Sequence, residues 1–150
     1  MKVRSIAGLL LAVILLPSAA AAQKAKEFED YVVHYSAFTA DTLQPEVARN
    51  YDIRRSPGRA VLNIVVMRKE GDKTVPVRAE IEASAVNLSQ QPKRFRLREE
   101  QDGQAIYYLA DFPVSHKEVL DFTLSVTPEG TSRELDVEFR QQFFTEEPPE

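Results

Sequence analysis

The sequence contains no cysteine and no tryptophan, and only two histidines, two methionines and five glycines in 150 residues. Each scarcity removes chemistry. Without a thiol there is no disulfide, no thiolate nucleophile, no iron–sulfur ligation and no cysteine-based zinc site. His34 and His116 are the only histidines, and Met67 is the only methionine after Met1. A copper carrier built from several thioether and imidazole ligands therefore lacks donors, and neither a metal nor a cofactor is expected. No G-x-S-x-G elbow occurs, so the local signature of a serine hydrolase is missing as well. Long apolar runs are also wanting: the longest, Ile6 to Leu16, has 11 residues, whereas a bilayer-spanning helix needs about 20.

That short run has the setting of an export signal. Lys2 and Arg4 precede it, Pro17 and Ser18 break it, and Ala20, Ala21 and Ala22 supply the small residues needed before Gln23. Residues 1–22 are expected to be a signal peptide cleaved after Ala22, delivering the protein to the periplasm with no stable membrane anchor. Removing 22 of the 150 residues leaves 128, the size of one domain. Such a domain buries about two-thirds of its unfolded surface, and without disulfides its stability must come from packing. Taking Lys2 and Arg4 from the 19 basic residues leaves 17 against 23 acidic ones, a net charge near −6. This balance disfavours attachment to nucleic-acid phosphates or anionic lipid.

Residues 23–144 read as a single β domain because period-two alternation dominates them. Residues 23–27 form a polar leader, and residues 145–150 an acidic tail expected to be disordered. Seven strands are expected: Tyr31 to Ala37, Ala60 to Arg68, Thr74 to Val86, Arg94 to Arg98, Ala105 to Phe112, Leu120 to Val126 and Leu135 to Arg140. The second is almost wholly apolar and suits a central strand covered on both faces. Turn residues separate the strands, among them Gly71, Gly103 and Pro128-Glu129-Gly130. Pro76 predicts an edge or bulge, because it cannot donate to a ladder. Seven short strands with regular turns point to an immunoglobulin-like antiparallel β-sandwich, with a small β-barrel as the alternative. One short helix is expected over Pro45 to Tyr51, with proline in the first turn and Val47 and Tyr51 on one face.

Few groupings suggest chemistry. Ser36 and His34 share a strand face, which reads as a polar face beside a loop. Glu80 and Glu82 read as a solvated face. Arg94, Arg96 and Arg98 resemble a polyanion patch but fit a charged outer face beside acidic strands, and export makes nucleic acid a poor partner. The segment from Tyr31 to Pro57 combines His34, Tyr35, Tyr51, Arg54, Arg55 and Ser56. Aromatic, imidazole and guanidinium groups together are typical of recognition surfaces.

YVVHYSAF at 31–38, LQPEVARNYDIRRS at 43–56 and RAVLNIVV at 59–66 resemble an exported bacterial family, domain of unknown function 4426. AVNLSQQPK, YYLADF and FRQQFF fit as well, so the likeness spans the domain. Asp52 departs from it, standing where a glycine is more usual. The resemblance implies a small immunoglobulin-like periplasmic protein with no assigned activity. Its signature residues here are His34, Tyr35, Pro45, Tyr51, Arg55, Ser56 and Asn63. The resulting expectation is a noncatalytic binding or accessory module that recognises a periplasmic protein or envelope component. The rivals are a hydrolase or isomerase using His34, and a structural subunit joined by β-augmentation.

Overall fold

The computed structural model describes residues 23–145. The expected signal peptide, and all of the acidic tail except Thr145, lie outside the described residues. In chain order the strands are β1 (Lys24–Glu27), β2 (Tyr31–Thr39), β3 (Arg59–Glu70), β4 (Lys73–Pro76), β5 (Ala79–Asn87), β6 (Pro92–Arg94), β7 (Arg98–Asp102), β8 (Ala105–Pro113), β9 (Val119–Pro128) and β10 (Leu135–Gln142). Among the described residues the one α-helix, α1, is Pro45–Asn50, preceded by a 3-10 turn at Ala40–Thr42.

These strands form two antiparallel sheets, a sandwich and not a barrel. The first has the order β1-β2-β3-β8-β7, with β4 beside the far end of β3, and the second has the order β10-β9-β5-β6. Alternation decides what lies between them. Val33 and Ala37 of β2, Leu62, Ile64 and Val66 of β3, and Phe122, Leu124 and Val126 of β9 all point inward. Phenylalanines fill the centre: Phe122 stacks on Phe139 at 4.6 Å between ring centroids, and Phe95 meets Phe112 at 4.5 Å.

Strand β3 is buried on its other face too, as its apolar composition predicts. A second, smaller core covers it there. Phe38 of β2, together with Leu43, Val47, Ala48 and Ile53 of the segment carrying the 3-10 turn and α1, packs with Val61, Val65 and Leu109. The helix ends in a left-handed cap. Asp52 takes φ 52°, its N–H donates to the Arg49 carbonyl, and the Ile53 N–H reaches the Ala48 carbonyl at 2.8 Å. This is the αL position that glycine fills most readily, and Asp is among the few other residues that tolerate it.

Ten strands replace the seven expected, for three reasons. The polar leader is not loose: Lys24–Glu27 pairs with Val32–Tyr35. The strand expected over Thr74–Val86 breaks after Pro76, where the chain passes from the first sheet to the second. The strand expected over Arg94–Arg98 breaks where the chain crosses from the second sheet to the first, with Phe95 and Leu97 packed against the core on the way. Arg94 therefore belongs to the second sheet and Arg98 to the first, so the three arginines do not share a face.

Candidate functional site

With Val33, Tyr35 and Ala37 directed into the sandwich, the pleat turns His34, Ser36 and Phe38 outward. Asn63 lies directly across from Ser36 on one side and from Leu109 on the other. His34 pairs with Val65 and is thus diagonal to Asn63 on the same face. Three polar side chains from two central strands therefore meet within an apolar surround that α1 partly roofs.

Asn63 is the only buried polar residue among the described residues, at 6% exposure, and its Oδ1 has no hydrogen-bond partner. A buried acceptor left without a donor costs about 1–3 kcal/mol. His34 is half-buried, and burial lowers its pKa below the ordinary 6.5. Its imidazole is consequently neutral at pH 7, with one donating and one accepting nitrogen. Neither His34 nor Ser36 has a side-chain hydrogen-bond partner among the described residues. Among the described residues, no three His, Cys, Asp or Glu side chains gather in metal-binding range.

The rim beside this cluster is tightly held. Tyr51, which closes α1, presents its ring edge-on to Tyr107 at 6.0 Å. Burial, then the neighbouring Asp102, Tyr107 and Glu100, push its phenol up to about 12. Arg98 donates from Nη2 to the Tyr51 carbonyl at 2.6 Å and from Nη1 to Asp111 at 3.3 Å. Asp111 also receives the Arg59 guanidinium at 2.6 Å. The sheet, helix end and β7 are thereby tied together around one carboxylate.

The other sequence-predicted residues divide. Tyr35 points into the sandwich and packs on Phe139 at 4.6 Å, away from His34 and Asn63. Arg55 donates to the Asp41 carbonyl at 3.1 Å, and Ser56 Oγ accepts the Gly58 N–H at 3.2 Å; both brace the loop. Arg54 is exposed. From that set the register places His34 and Asn63 on one face and adds Ser36, while Tyr51 lies against Tyr107 and its carbonyl is held by Arg98, which also bonds Asp111. The parity of AIYYLADF carried a signal for two of these, since Tyr107, Leu109 and Asp111 must share one face of β8.

None of the curated proteins matches the chain in sequence. Among solved structures it is similar to a DUF4426 family protein from Pseudomonas aeruginosa PAO1, with 34% identity, a TM-score of 0.71, and coverage of 83% of this chain and 97% of that one. It is also similar in fold to FetP of uropathogenic Escherichia coli. A copper-bound FetP variant has a TM-score of 0.57 and 9% identity, covering 82% of this chain and 97% of that one. FetP as isolated gives the same score and identity, with 83% and 96% coverage. The family profile named domain of unknown function, DUF4426, matches residues 25–146, and with a 34% identical relative aligned over most of both chains, the protein belongs to the DUF4426 family.

Proposed function

We propose that the protein is a noncatalytic binding module of the periplasm that recognises a protein or envelope component through the outer face of its first sheet. The observation that carries this reading is the buried Asn63 Oδ1 without a donor. A single unsatisfied acceptor in an otherwise apolar patch is a stability cost retained for a task, and supplying an N–H or O–H to it is what a partner would do. The neutral His34 and the free Ser36 hydroxyl beside it each add a donor and an acceptor without adding charge. Location in the periplasm rests on the signal-like residues 1–22; the isolated FetP was itself expressed in a periplasm. The copper of the FetP variant is not carried over. At 9% identity the likeness concerns the fold, and among the described residues His34 and Met67 are the only imidazole and thioether on this face.

The test separates binding from stability. Asn63→Val removes the unpartnered acceptor and suits a strand, so it should raise the unfolding free energy by about 1–3 kcal/mol. The same variant should lose the partners that the tagged wild-type protein recovers from crosslinked periplasm, with an unrelated exported domain as control. A variant that is stabilised yet still recovers those partners removes the proposal. So does one that is destabilised, because Asn63 would then be serving the fold.

A further inference from the structure

The second sheet carries a different feature, independent of the His34–Asn63 face. Strand β5 pairs with β9 along its whole length, from Ala79–Pro128 to Asn87–Leu120. On its other side β6 covers only Ser84, Ala85 and Val86, because the chain then turns Phe95 and Leu97 into the core. Among the described residues, no strand lies beside residues 79–83 on that side.

Which main-chain groups face the opening follows from two hydrogen bonds. The Arg78 carbonyl accepts from Glu129 N–H, toward β9. The Ala79 N–H points the other way and donates to the Tyr108 hydroxyl at 2.9 Å. Alternation then directs the N–H and C=O of Ile81, and the N–H of Ala83, toward the open side. Tyr108 satisfies Ala79; no side chain among the described residues does the same for Ile81. A groove of about 540 Å³ lies next to it on the outer face, lined by Glu82, Ser84, Val86, Arg94 and Thr123.

Charge selects the occupant. Glu80 and Glu82 are exposed on the outer face of β5, and neither enters an ion pair among the described residues. A second copy adding its own β5 would set glutamates against glutamates, which is unfavourable for directly opposed residues. We infer that this edge accepts an extended strand of another protein by β-augmentation, with Lys or Arg on the face opposite Glu80 and Glu82 and small apolar residues on the other. Backbone pairing would provide affinity, and the two carboxylates would provide register and selectivity.

The probe is an eight-residue peptide alternating lysine and valine, with a glutamate–valine peptide as control, and the readout is amide hydrogen exchange of the whole exported protein. The basic peptide should bind saturably and slow exchange at Ile81 and Ala83, while the acidic peptide should not. The doubly charge-reversed E80K/E82K changes only exposed side chains; it should bind the basic peptide about tenfold more weakly and gain affinity for the acidic one. Ala83→Pro removes an edge donor without touching the β9 ladder, and should abolish protection at Ile81. Absence of protection at Ile81, equal response to both peptides, or an unchanged preference in E80K/E82K would each overturn the inference.

Discussion

His34 couples the candidate site to pH through its burial. Its pKa lies below 6.5 in the folded protein because the half-buried ring resists charging. As pH falls through 6.5 the unfolded chain takes up a proton that the folded chain does not. The contribution of the neutral ring is therefore complete above 6.5 and is lost on descending toward the depressed folded value. The wild-type melting temperature should drop as the pH falls below the ordinary 6.5 of the free imidazole, and His34→Gln should lack that part of the drop. Parallel melting curves for the two proteins would contradict this. The parity of β2 made the outward direction of His34 legible in the sequence, and equally the inward direction of Tyr35. The burial of Asn63 was not legible, because a polar residue within RAVLNIVV carries no mark of what will cover it.

Tyr108 is where separate elements are joined. It lies on β8 in the first sheet, and its hydroxyl accepts the N–H of Ala79 at the start of β5 in the second. The same hydroxyl donates to Glu99 of β7 at 2.9 Å. Burial raises its pKa to about 12, so it remains a protonated donor throughout the physiological range. Tyr108→Phe leaves the ring in place but strands the Ala79 donor, and should lower the unfolding free energy by about 1–3 kcal/mol, read from the urea midpoint. A loss near zero would mean that water replaces the hydroxyl. At this scale the sequence was informative about strands and misleading about their ends. Arg94-Phe95-Arg96-Leu97-Arg98 alternates as one strand would, yet the chain changes sheets within it. Residues 24–27 have no apolar alternation, and they pair through their main chain with β2; Lys26 additionally donates to the Asp136 carbonyl of β10 at 2.7 Å.

The whole molecule holds together without a covalent crosslink, and its centre is a set of phenylalanines drawn from four distant segments. Phe122, 1% exposed, touches the rings of Phe95, Phe112, Phe139 and Phe143. Phe122→Ala should cost about 3–5 kcal/mol, a large share of the 5–15 kcal/mol typical of a domain. Denaturant titration should show a correspondingly early midpoint, and a shift below 1 kcal/mol would mean that the core collapses around the gap. The absence of thiols, the alternation of β2, β3, β8, β9 and β10, and the turns at Gly71, Gly103 and Gly130 were all determined by the sequence itself, because pleat parity and positive φ are local properties of the chain. Only the tertiary structure decided which strands share a sheet, that α1 closes over Val61 and Val65, that Asn63 lies buried beside His34, and that β5 is left half-paired. Those outcomes depend on contacts between residues far apart in sequence, which no local pattern encodes.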